Sequence, residues 1–540
     1  MPIPDDPNAS QIVLKFGGGL NTEAANTEID PAECVEGKNF DLELGNSVFR
    51  RRKPFDLVAT ATNGERINGF AQLLDSNNKL TTLIQAGATV YQWDGETTFT
   101  EVGTISGAAR IRGPLSANWL LDDVALISDL SVTQPVLQWN GTTLSEVSHN
   151  LSGGFSAKYI NVENERAIFA NVKSGASATP HVIVGSAQSD YTNLSITSRP
   201  DSSATAADPW FLPVPDLKPI NGLVSAFGLV AFSTERGRMY RLTGQDKTDF
   251  AITELFTGSF ASGNEPMIYA GNDIIFGRPG RVESLFSTDT LGDVDTDDLS
   301  REISKDVENV TAWTLAYNPR LQRVYCLPNA GNELWVFHKS FVDERIRQIS
   351  QRATPPKLSP WSRWVTDHAV SFQPTAIWSM LRPTDKTEQV YMGGPSGEIF
   401  QLEGGGSQDG GTADIDVERL SGLIQPGNGG PVFDVTGWIT YRKIVPATVT
   451  LTFEYGGENV FDQSVSIALG QASPLPVYGG GLYYNNGSHY SAKFKKRLTR
   501  QPLGPAGQGN HFQIRVGIDG STDFFIQEIG ITFKSTTPTP

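Results

Sequence analysis

The stretch Val90-Tyr-Gln-Trp-Asp-Gly95 decides the fold class, because the same phrase returns as Val136-Leu-Gln-Trp-Asn-Gly141. Each copy is followed by a second alternating run, Thr98–Val102 and Thr143–Val147 respectively. Asp-Gly and Asn-Gly between two alternating runs are the strongest short-range signal of a β-hairpin. The tryptophans of the two copies lie 46 residues apart, which is close to the period of four-stranded propeller blades.

Looser versions of this paired-run pattern continue toward residue 405, and each joins two alternating runs through a short polar turn. They are Gly228–Ser233 with Arg238–Gly244, Asn272–Phe276 with Gly280–Phe286, Arg323–Leu327 with Glu333–Phe337, and Glu388–Gly393 with Glu398–Leu402. Radial repeats of this length are typical of a β-propeller. The sequence therefore predicts an all-β protein with a propeller of about six or seven blades. The alternative is an irregular all-β fold whose strands mimic repetition by chance.

The chain divides into three predicted regions. Residues 65–405 form the propeller, which ends at a glycine-rich break, Gly404–Gly411. Residues 406–540 form a C-terminal β-sandwich-like domain, because alternating runs such as Ala447–Tyr455 continue beyond the break. Residues 1–64 are predicted to be an extended segment that contributes to propeller closure or to subunit contacts.

Composition limits the classes of function. The 540 residues include 54 Gly and 32 Pro, which favours many tight turns, and the formal net charge is −16. An acidic chain attracts neither DNA nor an anionic membrane surface. The two cysteines, Cys34 and Cys326, favour reduced thiols and assembly in a cytoplasm. The N-terminus lacks a signal-peptide pattern and no apolar run is long enough to span a membrane, so no membrane span is expected.

Motifs for catalysis, metals and cofactors are weak. The six histidines lack metal-ligand spacing. The acidic run from Asp289 to Asp298 fails as an EF-hand, because Asp298 stands where the turn glycine belongs. Gly17–Gly19 lacks the ending of a phosphate-binding loop, and no G-x-S-x-G elbow occurs. We expect no enzyme, no cofactor and no metal. An irregular cation site, or a propeller glycosidase with two carboxylates in one pocket, stays open.

One basic cluster stands out in this acidic chain, Arg50-Arg51-Arg52-Lys53. Four residues without interleaved aromatic platforms are too few for a nucleic-acid stripe. Guanidinium groups pair carboxylates in a fork geometry. We therefore predict that Arg50, Arg51, Arg52 and Lys53 contact a neighbouring subunit.

Several ordered phrases resemble the nozzle, or tail tubular protein B, family of short-tailed bacteriophages (podoviruses). Phe16-Gly-Gly-Gly-Leu-Asn-Thr22 is similar to that family's N-terminal phrase, and Asn39–Gly45 with Arg50–Pro54 is similar to its "N…G…R-R-P" signature, which Lys53 interrupts here. The resemblance extends over roughly residues 12 to 405. Its remaining phrases are Gly228–Ser233 with Met239–Gly244, Asp293–Ile303 with Trp313 and Tyr317, and Pro360–Trp364.

The resemblance implies a structural virion protein built around a β-propeller. Such proteins form a sixfold ring that continues the portal and adaptor channel, through which DNA is retained and ejected. The implied partners are five further copies, the adaptor ring, tail fibres or a needle, and double-stranded DNA bound without sequence specificity. The implied location is the virion tail, assembled in the host bacterial cytoplasm.

An acidic channel fits that role, because six copies would carry a formal charge of about −96 and an acidic wall repels phosphates. Glu43, Asp297 and Asp298 are the candidate channel-lining residues, although surface solubility explains acidity equally well. The alternative function is a β-propeller virion protein that binds a receptor or a glycan. That alternative predicts a concave pocket lined by aromatic side chains.

Overall fold

A computed structural model gives the fold. It describes residues 9–25, 28–30, 32–42, 49–113, 118–119, 122–200, 205, 207–226, 229–244, 247–258, 260–271, 273–287, 294–340, 358–365, 374–424, 432–442, 447–455, 463–469, 493–502, 512–519 and 525–535. Within these ranges the chain is an all-β protein, with a seven-bladed propeller and a β-sandwich. The prediction of a propeller with an additional sandwich-like domain is confirmed.

The blades follow one another along the chain, and each is an antiparallel sheet apart from the junction between the first two. Their strands are Ile67–Leu74, Leu80–Ala86, Thr89–Trp93 and Phe99–Thr104 in blade 1; Ile111–Gly113, Asn118–Trp119, Val124–Asp129, Leu137–Trp139 and Leu144–Glu146 in blade 2; Phe155–Glu163, Arg166–Ser174, Ser177–Gly185 and Trp210–Pro213 in blade 3; Ile220–Ala226, Leu229–Thr234, Arg238–Thr243 and Ala251–Thr257 in blade 4; Met267–Tyr269, Ile274–Arg278, Arg281–Ser287 and Val294–Asp298 in blade 5; Trp313–Asn318, Arg323–Pro328, Glu333–His338 and Trp361–Val365 in blade 6; and Ala376–Leu381, Glu388–Gly393, Glu398–Gln401 and Asp56–Thr60 in blade 7.

The two repeated phrases form the hairpins that their turns predict. Thr89–Trp93 pairs with Phe99–Thr104, and Leu137–Trp139 pairs with Leu144–Glu146. The turn glycines have φ angles of +91° and +88°, a left-handed region that glycine occupies without steric cost. Both tryptophans are buried in the propeller core.

Blades 1 and 2 are joined into one sheet. The short strand Ile111–Gly113 runs parallel to Ile67–Leu74 and antiparallel to Val124–Asp129. This close approach requires Gly69, because a Cβ there would stand 2.0 Å from the carbonyl oxygen of Ile111.

The ring of blades is closed by a strand from the start of the chain. Asp56–Thr60 pairs antiparallel with Glu398–Gln401 as the outer strand of blade 7. On the inner side, Ala376–Leu381 of blade 7 contacts Ile67–Leu74 of blade 1. Strand pairing thus fixes residues from both ends of the repeat region in one sheet.

The sandwich combines strands from both ends of the chain. One sheet contains Phe40–Asp41, Phe49–Arg51, Phe525–Ser535, Val432–Arg442 and Lys493–Pro502, with Ala9–Leu14 paired to Phe525–Ser535; the other contains Glu36–Lys38, Val417–Leu420, Phe512–Asp519, Ala447–Tyr455 and Gln463–Leu469. The first 51 residues therefore supply strands to both sheets.

Propeller and sandwich share one hydrophobic core. It contains Phe16, Phe40 and Ile529 from the sandwich side, and Trp313 and Trp361 from blade 6. Both cysteines are free thiols buried in this core, as the sequence predicts for reduced cysteines.

Helical structure is scarce among the described residues. A 3-10 turn, Arg301–Ile303, leads into a short α-helix, Ser304–Val307. In the part of the chain that the structure describes, no helix has the length and apolar character needed to cross a membrane.

Candidate functional site

Three of the phrases that carry the family resemblance, Phe16–Thr22, Arg50–Pro54 and Pro360–Trp364, meet where the N-terminal segment crosses the outer strand of blade 6. We call residues 16–21, 39–41 and 50–55 the N-terminal joint. The amide of Gly19 donates to Ser359 O at 2.7 Å, and the amide of Leu20 donates to Trp361 O at 2.9 Å. A Cβ on Gly19 would stand 2.0 Å from that same Trp361 oxygen. The glycine phrase therefore permits direct backbone contact between the N-terminal segment and the propeller.

Arg52 lies at the centre of the N-terminal joint and is fully buried. Its Nε donates to Asn39 Oδ1 at 2.9 Å, and its Nη2 donates to Val365 O at 2.9 Å. Both terminal nitrogens also bind the carboxylate of Asp409, with Nη1 2.8 Å from Oδ1. The guanidinium group lies 3.9 Å from the centre of the Phe55 ring. These contacts lie within one chain.

Of the other three members of the basic cluster, Arg51 is also buried and Arg50 is partly buried. Arg50 binds Asp41 at 2.6 Å, and Nη1 of Arg51 donates to Ser407 O at 2.5 Å. Lys53 is exposed. The contact of this cluster with a neighbouring subunit stays a prediction. Lys53 is the member best placed for such a contact, because its side chain is exposed.

A second ionic network lies beside Arg52. Oδ2 of buried Asp41 accepts hydrogen bonds from Arg323 at 2.9 Å and from Arg50 at 2.6 Å, and Arg323 also binds Glu403 at 2.7 Å. Burial raises the pKa of the Asp41 carboxyl, but the two arginines outweigh it and hold the pKa below its usual range. Burial lowers the pKa of neighbouring His338 to about 3, so this imidazole is neutral near pH 7.

The acidic channel candidates have different positions. Glu43 lies outside the described residues, and Asp297 belongs to the outer strand of blade 5, Val294–Asp298. Asp298 forms an ion pair with Arg281 at 3.1 Å and accepts hydrogen bonds from the amide and hydroxyl of Ser300. Their exposure to a channel between subunits stays a prediction.

A cavity of about 360 Å³ lies at the centre of the propeller. Six of the seven blades contribute to its wall, and the lining includes aromatic, aliphatic and polar side chains. The lining residues used below are Arg112, Tyr159, Glu265, Tyr269, Tyr317, Trp378, Ser379 and Glu388. This volume lies in the usual range of small-molecule sites, about 300–1,000 Å³. We call it the central cavity.

An ion pair dominates the charge in the central cavity. Arg112 of blade 2 binds the carboxylate of Glu265, which precedes the first strand of blade 5. The guanidinium group of Arg112 lies 3.9 Å from the centre of the Trp378 ring, a cation–π geometry. Burial raises the pKa of the Glu265 carboxyl to about 7, although Arg112 opposes the shift.

Two further groups in the cavity carry oxygen atoms. The hydroxyl of Tyr159 has no hydrogen-bond partner among the described residues, and burial raises its pKa well above the usual value. Glu388 accepts a hydrogen bond from the Ser379 hydroxyl at 3.0 Å. Burial raises the pKa of this carboxyl as well.

Sequence reasoning missed the central cavity because its residues come from separate blades. No two of Arg112, Tyr159, Glu265 and Trp378 are close in the chain, so spacing gives no signal. Within the described residues, no group of three or more His, Cys, Asp or Glu is arranged to hold a metal ion.

No family model matches the chain, and no curated protein sequence matches it. Solved structures that are similar include a catalytically inactive variant of virginiamycin B lyase from Staphylococcus aureus, with 8% identity over 66% of this chain and 98% of that chain and a TM-score of 0.40. YCF48 from Cyanidioschyzon merolae has 11% identity over 65% and 98% of the two chains and a TM-score of 0.37. The computationally designed Ika8 protein has 11% identity over 64% and 99%, with a TM-score of 0.36. Sequence identity this low gives no information about the activity of the present chain.

Proposed function

We propose that this β-propeller protein is a structural subunit of the tail of a short-tailed bacteriophage, a nozzle without catalytic turnover or cofactor. Six copies would form a ring that continues the portal and adaptor channel. The observation that supports this best is the N-terminal joint. Phe16–Thr22 and Arg50–Pro54, two phrases on which the family resemblance rests, both lie in the contact between propeller and sandwich. These two phrases therefore have a structural role in this chain, as expected for a protein without catalytic turnover.

The size of the central cavity places one condition on this proposal. A volume of 360 Å³ equals a cube about 7 Å on edge, whereas the major groove of B-form DNA alone is about 12 Å wide. DNA therefore does not pass along the propeller axis. In a nozzle the conduit lies between subunits, and each propeller is part of the wall.

Ring formation requires heterologous contacts that close by rotation. The exposed Lys53 and the strand-rich sandwich are the regions from which such contacts would come. The negative charge of the chain supports a conduit in which DNA slides without binding, because like charges repel. The adaptor ring above and tail fibres or a needle below are the further partners proposed.

Electron microscopy of the full-length protein, alone and in purified virions, tests the proposal. We expect sixfold class averages with a central opening wide enough for a duplex, and antibody labelling at the virion tail. A monodisperse monomer in both samples, or label away from the tail, contradicts the nozzle function.

A second candidate function is a virion protein that binds a receptor or a glycan through its propeller. The specific observation that favours it is the central cavity, which is concave and lined by Tyr159, Tyr269, Tyr317 and Trp378. Binding measurements on this cavity test it separately from ring formation.

A further inference from the structure

The central cavity contains a buried hydroxyl that the protein leaves without a partner. Tyr159 is 6% exposed and lines the cavity, and its hydroxyl makes no hydrogen bond to any described residue. A buried polar group without a hydrogen bond is costly. The hydroxyl oxygen has almost no surface open to solvent, so it can bond to a ligand only if the ring shifts as that ligand enters the cavity.

The charge in the cavity favours a neutral occupant. Arg112 is already neutralised by Glu265 and is held against Trp378. Lys158, close behind the wall, interacts electrostatically with both Glu265 and Glu235. An anion entering this site would have to separate the Arg112–Glu265 pair or remain buried without a counter-charge, and both are unfavourable. The other carboxylate of the lining, Glu388, is exposed, so water screens its attraction for a cation.

The remaining lining combines aromatic rings with oxygen-bearing groups. Tyr269 is 39% exposed, so the cavity opens to solvent beside its ring. Tyr317 and Trp378 supply further ring surface, and Glu388 with Ser379 supplies oxygen atoms on the blade 7 side. A wall that combines aromatic rings with polar groups can orient a ligand that has both an apolar face and hydroxyl groups.

We propose that the central cavity binds one neutral sugar residue. Tyr159 and Glu265 form hydrogen bonds to its hydroxyl groups, and the ring of Tyr269 packs against its apolar face at the opening. The proposal rests on the second candidate function for its biological role, and it names the ligand class and the residues. The sugar is either a free monosaccharide or the terminal residue of a glycan.

The size of the site sets the expected affinity. A cavity of 360 Å³ holds about a dozen waters at about 30 Å³ each, which is adequate for one sugar ring and its hydroxyl groups. For a ligand with so few atoms, a dissociation constant of about 1 mM is expected.

Saturation-transfer and titration NMR on the full-length protein test the proposal with glucose, galactose, mannose and N-acetylglucosamine. We expect saturable binding of at least one of them. Tyr159→Phe removes only the unpartnered hydroxyl, so we expect about fivefold weaker binding with an unchanged or higher thermal midpoint. Tyr269→Ala removes an exposed ring and should weaken binding about tenfold without unfolding the protein.

Two matched variants control for general effects. Tyr240→Phe changes a ring that is equally buried but does not line the cavity, and Leu217→Ala changes an exposed side chain elsewhere. Neither should alter sugar affinity. A second set of measurements uses glycans that end in the sugar found to bind. Binding of such a glycan indicates that the ligand is part of a surface receptor. Binding of the free sugar alone indicates a small-molecule site and contradicts the receptor function.

Three results would overturn the proposal. They are no saturable binding of any neutral sugar up to about 50 mM, tighter binding of glucuronic acid or sialic acid than of every neutral sugar, and affinities that neither Tyr159→Phe nor Tyr269→Ala changes. Class averages of the same sample report ring formation independently. A sixfold ring that binds no sugar contradicts the cavity proposal alone, whereas a monomer that binds sugar contradicts the nozzle alone.

Discussion

Replacing Arg52 with alanine should destabilise the protein more than any exchange of a surface arginine. The side chain is fully buried, and each of its five N–H groups has an acceptor: Asn39 Oδ1, Lys53 O, Val365 O and the two oxygens of Asp409. Such complete pairing is what makes a buried guanidinium group tolerable.

The expected loss follows from what remains after the substitution. The Asp409 side chain is 1% exposed, and without Arg52 its carboxylate keeps the amide of Phe55, at 2.8 Å, as a donor. Removing one partner of a buried ion pair costs about 3–5 kcal/mol, because the other charge stays buried. The exposed pair Arg238–Glu254, with 34% and 40% exposure, is the comparison, because solvent screens exposed ion pairs and they contribute little to stability.

Urea titrations followed by tryptophan fluorescence measure the effect. Trp364 is a suitable reporter, because its Nε1 donates to Phe40 O at 3.1 Å inside the N-terminal joint. Arg52→Ala should lower the free energy of unfolding by about 3–5 kcal/mol, whereas Arg238→Ala should change it only slightly because solvent screens this exposed pair. The double variant with Asp409→Ala should lose less than the two single losses together. Equal losses for Arg52→Ala and Arg238→Ala would refute the reasoning.

Two further predictions concern the N-terminal joint and the central cavity. Gly19→Ala should lower the midpoint of thermal unfolding or prevent folding, because its Cβ would stand 2.0 Å from Trp361 O. Gly405→Ala is the control: a Cβ there would have no atom within 4 Å, so the midpoint should stay unchanged. Folding raises the pKa of the Glu265 carboxyl from 4.5 to about 7. The folded protein therefore binds this proton more tightly than the unfolded chain does. The contribution of Glu265 to the free energy of unfolding should fall by about 3 kcal/mol as the pH rises from 4.5 through 7. Glu265→Gln should lose that part of the pH dependence in urea titrations between pH 4.5 and 8, and an unchanged pH profile would show that the carboxyl titrates normally.

The sequence predicted what depends on local chemistry. The Asp-Gly and Asn-Gly turns require left-handed glycines and fix both hairpins, so Trp93 and Trp139 could be placed in successive blades. The blade period followed from the same repetition. Local signals of this kind are independent of the rest of the fold.

Long-range pairing left no such signal. Nothing in Asp56–Thr60 indicates Glu398–Gln401 as its partner, and nothing in Ala9–Leu14 indicates Phe525–Ser535. Arginine is mostly exposed in proteins, so composition favoured a surface role for Arg52, and only the assembled acceptors explain its burial. Arg112 and Glu265 are brought together by ring closure, which residue spacing does not encode.

The closing strand has a consequence for synthesis on the ribosome. Asp56–Thr60 leaves the exit tunnel early, but its partner Glu398–Gln401 is translated about 340 residues later, which takes roughly 20–70 s at about 5–20 residues per second. Ala9–Leu14 and Glu36–Lys38 wait longer still, for partners in Phe525–Ser535 and Val417–Leu420. During that interval the nascent N-terminus carries unpaired strand edges, which are exposed to wrong pairing and to chaperones that bind unfolded chains. A ribosome stalled before residue 398 therefore releases a product that cannot close its ring.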